Sequence, residues 1–289
     1  MNAPERMAFP DIQSQFDSRN VHIDAVGVKG VRYPVTISSR GKPVATIAAL
    51  SLTVGLCASA KGTHMSRFIE LLEAQTEALD QPRFKELVLA MLRRLGAQSG
   101  AVEMRFPYFV RKSAPVSRVS SQLDYEACWV GSVTAAGEYA FSMQVTVPVT
   151  SLCPCSKEIS EYGAHNQRSH IMIEAELAGA LAIEELILIA EGSASCEVYS
   201  LLKRADEKYV TEAAYDNPKF VEDLVRDVAL ALNREPRIRA YVVEAENFES
   251  IHNHSAFARV VCRKDQDTLG AWPAPRKRDL SHFSMGGKA

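Results

Sequence analysis

Residues 141–149 read FSMQVTVPV, a run in which apolar and polar side chains alternate. A period of two is typical of a β-strand that buries one of its two faces. Residues 171–177 show the same alternation, and so do residues 102–110 in the first half of the chain. These three patterns predict half-buried strands in both halves of the protein.

Each half also carries two helix patterns. Residues 65–72 and 183–190 place apolar side chains three and four positions apart, on one face of a helix. A second helix of the first half is predicted over residues 81–95, since Gly96 is a typical stop signal. A second helix of the later half is predicted to begin with Asn217 as N-cap and Pro218 in the first helical position. The predicted strands cover residues 26–38, 46–54, 102–110, 123–133, 141–149, 171–177, 240–245 and 256–262.

The order of these elements predicts an α+β fold with two tandem ββααββ modules, residues 23–135 and 136–263. Each module would form a four-stranded antiparallel sheet with its helix pair on one face. Partner subunits are the simplest cover for the opposite face, so we expect a homo-oligomer. Residues 1–22 are predicted to be a flexible arm, and residues 264–289 a disordered tail.

Composition excludes several classes of protein. Of the 289 residues, 33 are Lys or Arg and 35 are Asp or Glu, so no basic surplus exists to neutralise a nucleic acid backbone. No apolar stretch approaches the ~18 residues that a membrane span needs. We therefore expect a soluble, cytoplasmic protein. In that compartment the six cysteines are thiols, metal ligands or catalytic groups rather than a disulfide framework.

The densest group of chemically active side chains is the thiol loop, residues 152–168, which read LCPCSKEISEYGAHNQR between two predicted strands. Cys153 or Cys155 can share a metal ion with His165 if the loop folds back on itself. The spacing is not that of a zinc finger, because no second cysteine pair follows. A catalytic site, a structural metal site and two uninvolved thiols all stay open on this pattern alone.

Two further groups add to the thiol loop. Residues 249–254 read ESIHNH, which suits a divalent cation or acid–base chemistry, although histidines in a loop are often only solvated. Residues 62–67 read GTHMSR at the start of a predicted helix, where an anion can bind, although an ordinary capped helix explains the same residues. The carboxylates of Asp206, Glu207 and Glu222 lie near the predicted helix pair of the second half. They are equally typical of an ordinary charged protein surface. Together the groups indicate a metal-assisted reaction on a phosphorylated small molecule.

Four strings in the chain resemble the prokaryotic type IB GTP cyclohydrolase I family. They are KGTHMSRF at 61–68, LCPCSKEIS at 152–160, YGAHNQRS at 162–169 and SIHNH at 250–254. The resemblance implies the tunnelling fold, with two ββααββ modules per chain, and tetramers with active sites at subunit interfaces. It implies conversion of GTP and water to 7,8-dihydroneopterin triphosphate and formate, the first step of folate biosynthesis and sometimes a step towards modified tRNA bases.

The resemblance also assigns roles to residues. Cys153, His165 and Glu207 are the implied ligands of one divalent metal, with His252 as a fourth, and this donor set suits zinc, iron or manganese equally. Cys155 is implied to be the reactive thiol beside C8 of guanine. Glu249 and His252 are implied to move protons while the imidazole ring opens and the pterin ring closes.

The substrate contacts follow from the same resemblance. Glu222 is our candidate for the guanine edge, because a carboxylate accepts from both the N1–H and the exocyclic amine. The candidates for the triphosphate are His64, Ser66, Arg67, Lys157 and Arg168. Two alternatives remain at this point: a nitrile reductase of the same fold, which uses a cysteine nucleophile and NADPH, and a metal-binding protein without activity.

Overall fold

The computed structural model describes residues 11–264. The α+β class is confirmed, with an antiparallel sheet and six helices in that part of the chain. The strands are β1 (Ile23–Ser39), β2 (Lys42–Leu56), β3 (Gly100–Ser113), β4 (Ser120–Val133), β5 (Tyr139–Leu152), β6 (Asn166–Leu177), β7 (Cys196–Glu197), β8 (Ile238–Asn247) and β9 (Ala256–Arg263). The helices are α1 (Ser66–Glu73), α2 (Gln81–Leu95), α3 (Pro154–Ile159), α4 (Ile183–Ser193), α5 (Arg204–Asp216) and α6 (Val221–Asn233).

The two halves of the chain form one continuous sheet. Its strand order is β1-β2-β3-β4-β5-β6-β8-β9, with the short β7 paired to β5. We expected two separate four-stranded sheets, but β4 and β5 pair from Val133 opposite Tyr139 to Glu126 opposite Thr146. The turn between them allows this pairing, because Gly137 adopts a left-handed φ of 81° that glycine tolerates without strain. The predicted boundary between two modules thus falls in a tight hairpin of a shared sheet.

The helices cover one face of this sheet, as the alternation predicts. On β5 the residues Phe141, Met143, Val145, Val147 and Val149 are all buried, and the residues between them are more exposed. Helix α2 packs on β3 and β4, α4 on β5, and α6 on β8 and β9. The core therefore lies between the helices and the face that the apolar positions define.

An aromatic group fills the core where the two halves meet. Phe84 of α2 packs edge-on against Trp129 of β4 and Phe141 of β5, with ring centroids 5.6 and 5.9 Å apart. Edge-to-face pairs of this kind contribute about 0.5–1.5 kcal/mol beyond their buried area. These contacts join the first helix layer to the first strand of the second half.

A buried ion pair also links the first half of the chain to the second. The Nζ atom of Lys112 on β3 lies 2.7 Å from Oε1 of Glu191 on α4 and also pairs with Glu197 on β7. The hydroxyl of Tyr125 on β4 donates to the same Glu191 oxygen at 2.7 Å. Burial raises the pKa of Glu191, although Lys112 acts in the opposite direction. Because Glu197 pairs with Val149, this group braces the end of β5.

The predicted helix α2 is confirmed at both ends, but the predicted start at Asn217 is wrong. Asn217 ends α5, and α6 begins at Val221 after Phe220. The Asn217 side chain does not cap a helix, because its Nδ2 donates to the carbonyls of Ala194 and Ser195 at 2.9 and 3.3 Å. The sequence pattern missed α5 since its charged residues resemble an ordinary surface segment.

The ends of the chain are described only in part. Within the predicted arm, the backbone of Gln13 and Gln15 accepts hydrogen bonds from Gly62 and Lys61, each 3.1 Å long. Residues 1–10 of that arm and residues 265–289 of the predicted tail lie outside the described residues. Between positions 11 and 264, the helices are all too short or too polar to cross a bilayer.

Two leucines of α6 test the assignment of the core. Leu224 is fully buried, whereas Leu230 on the same helix is 55% exposed. We expect Leu224→Ala to lower the free energy of unfolding by about 2–5 kcal/mol, because it leaves a cavity in the core. Leu230→Ala should change it by less than about 0.5 kcal/mol. Urea unfolding followed by circular dichroism measures both values, and equal losses would contradict the placement of α6.

Candidate active site

The thiol loop brings Cys153 and His165 side by side. The last paired residues of β5 and β6 are Leu152 and Asn166, and the ladder continues by one bond from the Cys153 N–H to the His165 carbonyl at 3.1 Å. Residues directly opposite in an antiparallel pair have Cβ atoms about 4.5–5.5 Å apart and point to the same face. The thiol and the imidazole therefore share one end of the sheet, on the face that the helices cover.

A short helix shapes the loop next to this pair. Cys153 is the N-cap of α3, and Pro154 occupies its first turn. Ser156 holds the loop closed, because its hydroxyl donates to the Cys153 carbonyl at 3.1 Å and accepts from the His165 N–H at 3.2 Å. The Ser156 N–H points at the Cys153 sulfur, 3.5 Å away. We expected an irregular loop here, and Pro154 was the one signal in the sequence for a helix start.

Acceptors surround one nitrogen of the His165 ring. Its Nδ1 lies 2.9 Å from Oε1 of Gln167 and 3.9 Å from the carboxylate of Glu249. The Ser250 hydroxyl is 3.4 Å from the same nitrogen. An amide oxygen and a carboxylate next to Nδ1 favour the tautomer with its proton there, which leaves the lone pair of Nε2 for a metal ion. The His165 and Glu249 side chains are only 13% and 14% exposed.

Sequence reasoning missed a line of buried polar side chains behind His165. Gln167 Nε2 donates to the Ser151 hydroxyl at 2.9 Å, which is 2.7 Å from the Ser169 hydroxyl. Ser169 in turn donates to Oδ1 of Asn247 on β8 at 2.7 Å. We call Gln167, Ser151, Ser169 and Asn247 the polar row. The sequence does contain a signal for the polar row. Ser151 follows Val147 and Val149 at the same two-residue spacing, so it is expected on the buried face of β5.

The other reactive groups of the loop are more exposed. Cys155 lies in the first turn of α3 and its side chain is exposed, so a ligand can reach the thiol. Lys157 donates to the Tyr215 carbonyl, and its Nζ lies 4.2 Å from the centroid of the Tyr215 ring. This contact holds α3 against the end of α5.

The predicted metal ligands are not all gathered within one chain. Glu207 is exposed on α5, and His252 is exposed in the loop after β8, where its ring stacks on His254 at 5.1 Å. In the part of the chain that the structure describes, no group of three His, Cys, Asp or Glu residues could hold a metal ion. The set of Cys153, His165, Glu207 and His252 stays a prediction.

The predicted substrate contacts are also spread over the chain. His64 Nε2 lies 3.2 Å from an Asp11 carboxylate oxygen, and Arg67 reaches the Arg94 carbonyl at 3.4 Å. The remaining candidates are exposed or half-buried on four elements: Ser66 on α1, Lys157 on α3, Arg168 on β6 and Glu222 on α6. Their convergence on one nucleotide is not seen within a single chain.

A buried carboxylate fixes the start of α5, the helix that carries Glu207. Asp206 accepts from the backbone N–H groups of Val116, Ser117 and Lys203, each at 2.8 Å. The Ser117 hydroxyl donates to its second oxygen at 2.6 Å. Burial opposes the charge on Asp206, but these hydrogen bonds outweigh it and hold its pKa well below the usual range. The turn between β3 and β4 thereby positions α5.

Comparison with known proteins identifies the family. The family model described as type I GTP cyclohydrolase folE2 matches residues 9–258. The chain belongs to the type I GTP cyclohydrolase FolE2 family. The resemblance of the four sequence strings is therefore confirmed.

Relatives of this FolE2-family chain match it over nearly its whole length. A protein named GTP cyclohydrolase FolE2 from Azoarcus sp. (strain BH72) is 56% identical over 90% of this chain and 97% of its own. One of the same name from Paraburkholderia xenovorans (strain LB400) is 59% identical over 86% and 93%. Among solved structures, the uricase of Arthrobacter globiformis covers 86% of this chain and 96% of its own at 8% identity, with a TM-score of 0.49.

The hydrogen bonds of Asp206 predict a specific response to acid. Unfolded Asp206 has its ordinary pKa of 3.8, and the folded value is lower, so the unfolded chain takes up the proton first as the pH falls. The stabilisation is complete above the unfolded pKa and is lost progressively as the pH falls from there towards the lower folded pKa. Urea unfolding from about pH 6 to about pH 3 should therefore show a steeper loss of stability for the wild type than for Asp206→Asn.

The control for this comparison is Asp24→Asn, since the Asp24 side chain is fully exposed. Its pH dependence should follow that of the wild type. Parallel curves for the wild type and Asp206→Asn would contradict the role given to the hydrogen bonds of Asp206.

Proposed function

We propose that this chain hydrolyses the guanine imidazole ring of GTP and forms 7,8-dihydroneopterin triphosphate and formate. The observation that carries the proposal is the pairing of Cys153 with His165 at the end of β5 and β6, beside Glu249. Membership in the GTP cyclohydrolase family favours this reaction over nitrile reduction and over metal binding without activity. The product would enter folate biosynthesis or the synthesis of modified tRNA bases.

The family is consistent with a metal-dependent enzyme. The donors fit such an ion, because Cys153 offers a sulfur and His165 offers an Nε2 whose partner nitrogen is already held by Gln167. Glu207 and His252 would complete the set of one zinc, iron or manganese ion per site. When bound, a divalent metal activates water and polarises the group that the water attacks.

The chain's own residues would move the protons. Glu249 is mostly buried beside His165, and His252 lies three residues along the same loop. A carboxylate and an imidazole at this place can accept the proton of the incoming water and return it when the ring nitrogen leaves. The exposed thiol of Cys155 would act next to C8, in proton transfer or in transient covalent chemistry.

Recognition of GTP would come from both ends of the molecule. Glu222 can accept from the N1–H and the exocyclic amine of guanine, which adenine does not offer. The triphosphate would meet cationic and hydroxyl groups of His64, Ser66, Arg67, Lys157 and Arg168. Three of these groups, His64, Arg67 and Lys157, have partners within the chain that GTP would replace.

We infer that neighbouring subunits complete the site in a homotetramer. The described residues of one chain do not bring the ligands together. Large apolar side chains also stand exposed around the thiol loop and the loop after β8: Ile159 is 82% exposed, Tyr162 96% and Ile251 64%. Contiguous exposed apolar patches mark interaction surfaces, and we propose that these side chains form part of one against a neighbouring subunit. The assembly would act in the cytoplasm, without nucleic acid or membrane partners.

A direct assay tests the reaction. The full-length protein is loaded with zinc, iron or manganese, incubated with GTP, and analysed for formate and for pterin fluorescence. Both products should appear with at least one metal, in equal amounts. The absence of both products with every metal would contradict the proposed function.

The two cysteines should respond differently to substitution. Cys155→Ala should lower kcat at least about 100-fold while the bound metal stays near the wild-type level, because the thiol acts on the substrate. Cys153→Ala should lose the metal itself, as measured by elemental analysis of the purified protein. Cys57→Ala, which removes an exposed thiol outside the thiol loop, is the control and should change neither. Equal loss of metal in both loop variants would mean that the two roles are wrongly assigned.

A further inference from the structure

The polar row has a direction that the hydrogen bonds determine. A hydroxyl group donates only one hydrogen. Ser169 donates its hydrogen to Asn247, so the bond between the two serines must be donated by Ser151. Ser151 then has only its lone pairs left for Gln167, and the Gln167 amide nitrogen donates to it. The amide oxygen of Gln167 is thereby turned towards Nδ1 of His165.

The reverse direction would give the opposite tautomer. If Asn247 donated to Ser169 and each later bond also turned round, the Gln167 nitrogen would point at His165. Nδ1 would then be an acceptor, with its lone pair beside the carboxylate of Glu249 at 3.9 Å. Negative charge next to a lone pair is unfavourable, whereas an N–H in the same place is attracted to it. Glu249 and the polar row therefore favour the same tautomer.

The row is built where the fold would otherwise place apolar side chains. Ser151 and Ser169 are fully buried, Asn247 is 3% exposed and Gln167 is 7% exposed. Buried polar groups are tolerated when every member has a partner, and such a network then holds one arrangement. The four side chains come from β5, β6 and β8, so three strands fix the position of the Gln167 oxygen.

We propose that Gln167, held by Ser151, Ser169 and Asn247, is a positioning residue that keeps the proton of His165 on Nδ1 and presents Nε2 to the metal ion. This inference rests on the proposed function, because that proposal makes His165 a metal ligand. Gln167 itself reaches the site only through the His165 ring. Its effect is therefore expected first in metal binding, before any step of the reaction.

Two substitutions at Gln167 distinguish the effect of losing the amide oxygen as an acceptor from the effect of changing the side-chain volume. Gln167→Met keeps a similar length but replaces the amide oxygen by a weak acceptor. Gln167→Glu keeps an oxygen facing Nδ1, and the Ser151 hydroxyl can turn to donate its hydrogen to the second carboxylate oxygen. The probe is Co²⁺ alone, added to the metal-free, full-length protein, with the Kd measured by chelator competition and the ligand field by visible absorption.

We expect Gln167→Met to weaken Co²⁺ binding about 10- to 100-fold and to change the absorption spectrum, as loss of the partner of a metal-bound histidine does. Gln167→Glu should bind at least as tightly as the wild type, with a similar spectrum. Thr46→Val is the control, because it removes a part-buried strand hydroxyl that donates to the Pro107 carbonyl, in the other half of the sheet. It should leave the Kd unchanged.

Several results would overturn the proposal. One is a wild-type Kd and spectrum for Gln167→Met, and another is an equal loss of affinity in Gln167→Met and Gln167→Glu. If Gln167→Met does not fold, Ser151→Ala takes its place, since it frees the Gln167 amide to rotate and should weaken binding in the same direction. An unchanged Kd in that variant would also overturn the proposal. These measurements contain no GTP. A protein that binds Co²⁺ as described but fails to turn over GTP would therefore refute the proposed function and leave the role of Gln167 standing.

Discussion

The hydrogen bond from the Cys153 N–H to the His165 carbonyl is the contact on which the site depends. It extends the ladder of β5 and β6 by one step beyond the last paired residues, Leu152 and Asn166. Because register in an antiparallel pair decides which side chains share a face, this step sets the thiol beside the imidazole. A shift of β6 by one residue relative to β5 would turn the His165 side chain to the other face of the sheet, away from the thiol of Cys153.

The rest of the fold keeps that register in place. β5 is the centre of the sheet, where the first half of the chain meets the second, and it pairs with β4, β6 and β7. The buried Lys112 holds Glu191 and Glu197 near the same end of β5, and the polar row crosses from β5 to β8 behind His165. Charged and polar groups are costly to bury, and here each has a partner on a different strand or helix. The polar groups near the site thus hold the strands that carry Cys153 and His165 in position and also contribute to the stability of the fold.

The sequence predicted the long strands, α2 and the position of Cys153 and His165 in one loop, because these depend on local alternation and on short spacing. It missed the two-residue strand β7. It failed at Asn217, whose side chain bonds to Ala194 and Ser195, more than 20 residues away. It also missed Gln167, since a glutamine on the buried face of β6 breaks the apolar alternation that predicted the strand. The contacts of Glu207, Glu222 and His252 with the site stay predictions, because they depend on residues far apart in the chain and on neighbouring subunits.

X-ray absorption at the zinc edge tests the central claim, that Cys153 and His165 bind one ion together. In the zinc-loaded, full-length protein we expect one sulfur neighbour at about 2.3 Å and the remaining nitrogen or oxygen neighbours at about 2.0–2.2 Å. The sulfur contribution should disappear in Cys153→Ser and persist in Cys155→Ser. A spectrum of the wild type without a sulfur neighbour, or with two, would contradict the account.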